Sequence, residues 1–345
     1  METIALPVSE PLQAVQLDGL VVLKIIKHCR ESYPSDVTGQ LLGLDDKGVL
    51  EVTNCFPFPS DCDENASAQY QLDMMRCLRA VNVDNNTVGW YRSAHLGNFV
   101  DLNLIDTQYS YQNSLSAHSC VIIHDVSKSA AQGNLSLRAF RLTDAFMKQY
   151  ESKKFTTESI AKAKLSFSSI FEELPVKVHN SHLVTLMLHN IEMPKLDVNR
   201  LRSPATFSST QSDLEEAKPL SPNFDVLDLE LDPFMQKNLE YLLFCSDVQQ
   251  QEVNNYQYWQ RSVAREQAKM QAWLTKRRQE NAARAEKGQP PLPEDEVNTV
   301  FKLPPEPSRL DSMILTAQMH NFTKQLNQFA GPSLTRLYSI QELQK

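Results

Sequence analysis

The residues best suited to chemistry lie together between Val88 and Asp106. Val88-Gly-Trp-Tyr-Arg-Ser-Ala-His95 reads as an apolar strand, from Thr87 to Tyr91, running into a polar turn. The continuation Leu96-Gly-Asn-Phe-Val-Asp101-Leu-Asn103-Leu-Ile-Asp106 then enters a helix that carries an acid. Strand, turn and helix make a workable scaffold for a metal. A hydrolytic zinc needs three protein ligands and an open position for water. Here the turn supplies one histidine, His95, and the helix one carboxylate, Asp106. Two ligands do not hold zinc tightly. The ordinary reading, a polar turn and a helix carboxylate bonded to backbone or water, outweighs a metal site, so no metal and no other cofactor is expected.

Weaker candidates surround this pair. Asp36, ahead of Thr38-Gly-Gln-Leu-Leu-Gly43, is placed to act as a general base, although an Asp before a strand more often caps a turn. Trp90 and Tyr91 alternate on a strand and are expected to pack. His179 and His182 lack the third ligand that a metal would want. Lys269, Lys276, Arg277, Arg278, Arg284 and Lys287 form a basic stretch near Trp259 and Trp273 that suits RNA or an acidic protein. Glu266, Glu280 and Glu286 interrupt it, so a solvated face laced with ion pairs is the commoner reading. The chain has 9 glycines and neither a phosphate-binding G-x-x-x-x-G-K-[ST] loop nor a G-x-S-x-G elbow.

The elements that must position these residues follow from periodicity. Leu17 to Ile26 marks an opening helix that stops at Pro34. Gln40–Leu44 and Val49–Phe56 form a hairpin turning at Asp45-Asp-Lys-Gly48. A helix over Tyr70–Val81, the Trp90 strand, the Leu104 helix and strands over Cys120–His124 and Leu135–Leu142 complete a first region. Thr157–Ala163 is helical, Leu174–His179 a strand and Ser181–Ile191 a helix. From Asp225 the period is helical: Val248 to Lys287, then Leu310 to Phe329, then a shorter helix over Ser333–Leu343. The fold class is α+β, a mixed sheet flanked by helices followed by a C-terminal helical region for assembly. The expected division is an N-terminal tail (1–14), a first domain (15–147), its extension (148–193), a Ser/Pro-rich linker (194–225) and the helical region (226–345).

Composition narrows the function. With 345 residues, 41% hydrophobic and 22% charged, the chain can fold a core in at least part of its length. A net charge of −8 argues against a dedicated nucleic-acid binder. The six cysteines show no C-x-x-C spacing, which suits reduced thiols and a soluble, intracellular protein. No stretch approaches the length of a membrane span, and no membrane contact is expected.

The strand-turn-helix around Trp90 resembles the MPN (Mpr1/Pad1 N-terminal, JAB1/MPN-like) domain. Active members carry Gly-Trp-Tyr-His-Ser-His-Pro, then a serine and an aspartate on the next helix, with a glutamate upstream; they are zinc isopeptidases that cut ubiquitin-like chains. In this sequence Arg92 stands at the first histidine and Ala94 at the second, while His95 falls one residue late. Sliding the register to use His95 places Ser93 at the first histidine and Asn103 at the serine, and no register restores both histidines. The upstream glutamate corresponds to Asp36, and only Asp106 keeps its type. Arg92 would also repel a cation. The resemblance therefore implies an inactive MPN domain whose degenerate site is Asp36, Arg92, Ala94, His95 and Asp106.

Longer segments are similar to one inactive branch, the family of H subunits of eukaryotic translation initiation factor 3. They are Asn54-Cys-Phe-Pro-Phe-Pro59, Gln69-Tyr-Gln71 with Met74-Met-Arg-Cys-Leu-Arg79, Phe99-Val100, Asp106-Thr-Gln-Tyr-Ser-Tyr-Gln112, Leu135-Ser-Leu-Arg-Ala-Phe-Arg-Leu-Thr143, Pro290-Pro-Leu-Pro-Glu294 and Arg309-Leu-Asp-Ser312. The resemblance implies a cytoplasmic, non-enzymatic scaffold. Its MPN domain would pair with a second MPN-domain subunit and its C-terminal helices would join a multi-subunit bundle. The complex would act on the small ribosomal subunit and mRNA. On that reading Leu231, Phe234, Leu239, Leu242, Leu310, Met313, Ile314 and Leu326 are the expected partner interface. The alternatives are a scaffold of a proteasome-lid or signalosome type of assembly and a metal-dependent deubiquitinase with an altered site.

Overall fold

The structure is a computed structural model that describes residues 12–59, 64–132, 135–192, 233–286 and 301–343. The tail before residue 12, the linker at 194–225, Leu231 and the Phe234 side chain lie outside the described residues.

The chain opens with a strand, β1 (Ala14–Asp18), and Leu17 belongs to it; α1 (Gly19–Glu31) begins only afterwards. This corrects the expected start of the helix. Five residues carry too little periodicity to declare a strand, and β1 exists because it pairs in parallel with two later strands. The hairpin of β2 (Thr38–Asp46) and β3 (Val49–Pro57) forms as expected. Lys47 and Gly48 both take positive φ (45° and 79°), the two-residue turn that matches strand twist. There follow α2 (Glu64–Ala80), β4 (Thr87–Ala94), α3 (Leu102–Ser114), β5 (Cys120–Asp125), α4 (Val126–Gln132), β6 (Leu137–Leu142), α5 (Asp144–Ser152) and α6 (Thr157–Ala163).

The run Leu174–His179, expected as one strand, is divided at Pro175, which has no N–H to give a ladder. β7 (Phe171–Leu174) pairs with β6, and β8 (Val176–His179) pairs with β1. The sheet order is β7-β6-β5-β4-β2-β3-β1-β8, so its two edges are one residue apart in the chain. The sheet must therefore curl enough to bring those edges near each other, and the Pro175 carbonyl accepts the Val15 N–H at 3.0 Å where β8 joins β1. Residues 171–179 thus finish the sheet that residue 14 begins.

Alternation on the central strands feeds two cores. On β5, Cys120 and Ile122 face α1 and join Val21, Ile25 and Leu41. Val121 and Ile123 face the other way, with Trp90, Phe99, Leu104 and Phe140. After α7 (His182–Glu192) come α8 (Pro233–Glu286), a 54-residue helix about 80 Å long, and α9 (Leu310–Leu343). The sequence reading places two helices where α9 stands. The single helix continues through Gly331-Pro332, and the position of a Cβ at Gly331 is open space.

Candidate functional site: the Arg92 cluster and its C-terminal latch

Arg92 stands near the C-terminal end of β4, away from the hairpin turn, paired in register with Thr38. Its guanidinium is 14% exposed and grips Asp101 with both terminal nitrogens, each at 2.9 Å from a carboxylate oxygen. One of them also lies 3.4 Å from Asp36. Such a fork on a carboxylate is the strong geometry for arginine. Burial works against the charge, but the Asp101 bond and the Asp101 and Asp36 carboxylates outweigh it and hold the pKa above its ordinary value. Asp101 is also the N-cap of α3 and accepts the Leu104 N–H at 2.8 Å. Asp36 is therefore bound to a cation rather than capping a turn, and that cation is part of the chain.

The other candidate ligands do not converge on this point. Ala94 is buried and has no donor. The His95 ring takes a short hydrogen bond with Ser127 and meets Tyr33 edge-on, with centroids 5.5 Å apart. Burial, with Lys237 of α8 nearby, lowers its pKa. Asp106 is exposed and accepts the Tyr150 hydroxyl of α5. Among the described residues no group of three or more His, Cys, Asp or Glu could hold a metal ion. The donor set here does not fit zinc: Arg92 carries a fixed positive charge where a cation would sit.

The turn after β4 is held from outside by α9. Gly97 adopts φ +73° and is buried. Its carbonyl accepts from the Gln318 and Asn321 amides at 3.0 Å and 2.6 Å. The Gln318 oxygen accepts the Val100 N–H at 3.0 Å, and a Cβ on Gly97 would overlap the Gln325 amide. All three side chains are under 9% exposed. Ile314, one turn earlier, is 6% exposed in the core with Phe99, Leu104 and Phe140. Lys128 of α4 donates to Gln328 at 3.0 Å. One helix face thus carries an apolar end and a polar ladder, both seated on the turn that follows the pocket.

Comparison with known proteins fits this geometry. The family model described as JAB1/Mov34/MPN/PAD-1 ubiquitin protease matches residues 10–116. The model described as C-terminal region of eIF3h matches residues 130–208 and 201–345. The H subunit of eukaryotic translation initiation factor 3 from Aspergillus oryzae is 44% identical over 349 residues, covering 96% of this chain and 95% of its own. The protein of that name from Coccidioides immitis is 45% identical over 350 residues, covering 96% of each. The chain belongs to the H-subunit family of eukaryotic translation initiation factor 3. A solved structure of protein DSY2949 from Desulfitobacterium hafniense covers 48% of this chain and 94% of its own at 11% identity and a TM-score of 0.32, too remote to bear on the fold.

The segments that carry the family likeness hold the fold together. On α3, buried Gln108 accepts the Trp90 indole N–H at 2.9 Å and donates to the Ser119 carbonyl at 2.7 Å. Gln112 exchanges two hydrogen bonds with the Leu142 backbone. The expected partner residues divide. Leu310, Met313 and Ile314 pack on the chain's own domain, so that face of α9 is not open. Leu326 and Leu242 are half-buried, while Leu239 is 44% exposed. More open apolar side chains stand beside it on α8, Leu243 at 66% and Phe244 at 65%. Trp259 and Trp273, read beside the basic stretch, instead pack on the segment before α9: Trp259 donates to the Pro304 carbonyl at 3.1 Å and Trp273 meets Phe301. Sequence reasoning overlooks Asp101 as a site residue. Its signal is an acid immediately before an apolar helix start, which is the mark of an N-cap.

Proposed function

We propose that this chain is a non-catalytic scaffold subunit of a cytoplasmic translation initiation factor 3 complex, supporting assembly of the initiation complex on the small ribosomal subunit and mRNA. The observation that carries the scaffold role is the apolar face left open on α8 at Leu239, Leu243 and Phe244. A long helix gains most of its stability by burying such a face, and each large side chain fully covered contributes roughly 1.5–3 kcal/mol before ordering costs. The ion pair of Arg92 with Asp101 and Asp36 supports the absence of catalysis, because it fills a metal position with a fixed cation. A second open face suits the second MPN-domain subunit. It comprises Leu20 and Leu23 of α1 with Leu183, Leu186 and Met187 of α7, and the Gly19 N–H and Asn180 side chain join the two helices at 3.0 Å.

The test is sedimentation of the tagged chain from extracts of its own cells, with its companions identified. The native chain should travel in a large complex that also appears with small ribosomal subunits. The variant L243E/F244E should travel light while keeping the native helical content and melting temperature, since neither side chain is in a core. Full co-sedimentation of the variant would overturn the assembly face, and light sedimentation of the native chain would overturn the scaffold reading. Substitutions at Leu310 and Ile314 are unsuited to this purpose, because they would strike the chain's own core.

A further inference from the structure

We infer that the outer face of α8 binds single-stranded RNA directly, through Tyr258, Arg261, Arg265, Lys269 and Lys276. At 100° per residue these positions fall within one quarter of the helix circumference, and all five are exposed. Tyr258 is 72% exposed, a large aromatic ring standing in solvent at the head of a basic row. Arg261 and Arg265 follow at one and two turns, Lys269 at three, and the row spans about 27 Å from Tyr258 to Lys276. Among the described residues no acid lies within ion-pair distance of Arg261, Arg265 or Lys276. Lys269 meets Glu266, and Arg277 meets Glu280, both acids lying to one side of the row.

The occupant follows from what the row contains and lacks. Between its charges stand Ala268 and Ala272, small and exposed. No aliphatic anchor is present, so a folded protein would find nothing to bury at the centre of an interface. A flexible polyanion needs none. It needs cations repeating along a line and a π-face on which a base can stack, and both are here. Arg309 packs on Tyr256 on the far side of the helix, and Pro304 and Phe301 meet Trp259 and Trp273 on one flank, which leaves the basic row facing outward. The overall charge of −8 confines attraction for RNA to such a local strip. This goes beyond the scaffold role: that role concerns Leu243 and Phe244, and either can fail without the other.

The measurement is fluorescence anisotropy of a labelled twelve-nucleotide oligouridylate titrated with the purified full chain across a series of salt concentrations. Binding should weaken with salt, with a log–log slope of about −2 to −3 for three or four neutralised phosphates. R261Q/R265Q/K276Q should flatten that slope by about two. Tyr258→Ala should weaken binding roughly tenfold and leave the slope unchanged, since stacking releases no counterions. An RNA duplex should bind more weakly and ignore Tyr258→Ala. No binding at low salt, or a triple variant with the native slope, would overturn the inference. Equal competition by polyglutamate of the same charge would also overturn it and assign the row to an acidic protein. Unchanged circular dichroism of the variants keeps a folding defect out of the comparison.

Discussion

Replacing Gly97 by alanine tests whether α9 is seated on the turn after β4 or merely lies near it. Two costs follow from the structure. At φ +73° an L-side chain is strained by about 1–2 kcal/mol. The new methyl also overlaps the Gln325 amide, which is 4% exposed and neighbours the buried Asp125 carboxyl. Expelling that amide, or shifting the turn so that Gln318 and Asn321 lose their hold on the Gly97 carbonyl, costs about 1–3 kcal/mol more. A total near 3 kcal/mol corresponds to a melting temperature lower by about 6–10 °C in a domain of this size. Part of the loss should appear as local opening of α9, so its amides from Met313 to Gln325 should exchange about a hundredfold faster. Hydrogen exchange followed by mass spectrometry reads this directly. Gly97→Ala combined with Gln325→Ala should be milder than the sum of the two, because removing the amide removes the overlap. Gly331→Ala, in open space on the same helix, should be neutral or stabilising by up to about 1 kcal/mol. If Gly97→Ala melts with the native protein and α9 exchanges at its native rate, the latch is not an energetic feature of the molecule.

Three further outcomes follow from the pocket. Arg92→Leu should destabilise by about 1–2 kcal/mol in chemical denaturation, below the roughly 3–5 kcal/mol expected for a buried pair, because Asp36 and Asp101 are 49% and 38% exposed and water screens them; a loss above about 4 kcal/mol would mean that the pair is effectively dry. Burial lowers the pKa of His28, His95 and His124, so the unfolded chain takes up protons that the folded one refuses. Stability should then be level above about pH 6.5 and fall as pH drops below it, and His124→Gln should flatten the fall. Asp125, raised by burial, works in the opposite sense, so a melting temperature that rises on acidification from about pH 7 to about pH 5.5 would show that carboxyl to dominate. Elemental analysis of protein purified from zinc-supplemented medium should find zinc far below stoichiometry; one equivalent, lost on mutation of His95, would refute the reading of the donor set.

Local chemistry made much of the fold legible. The Lys47-Gly48 turn, the alternation on β4 and the strand at β5 are decided by a few adjacent residues. What could not be read depends on distant partners. β1 is a strand because β3 and β8 flank it, and Pro175 separates the two edge strands of one sheet rather than ending one strand. The C-terminal helix shows the limit most sharply. Its apolar period demands a buried face, but periodicity does not say whose surface buries it. Leu310, Met313 and Ile314 carry the period of a partner-seeking face and instead meet their own domain. The row Gln318, Asn321 and Gln325 marks the difference in hindsight: buried amides at i, i+3 and i+7 need polar partners held at fixed positions, here the Gly97 and Val100 backbone and the Asp125 side chain.

One mostly buried guanidinium ties the Arg92 cluster together. Asp36 precedes β2, Arg92 stands near the end of β4 and Asp101 caps α3, so three elements, one of them 56 residues distant, meet at one charge. A bound cation ties such elements only while it is bound, and its affinity becomes part of the folding energy. A guanidinium does the same from within the chain, always charged and with a fork that fits a carboxylate. Because the guanidinium is part of the chain, the tie among Asp36, Arg92 and Asp101 does not depend on metal supply. The turn at Gly97, beside this charge, accepts the amides of Gln318 and Asn321 from α9. Charge fixed inside the chain on one side of the turn and buried amides on the other together hold a long helix in place.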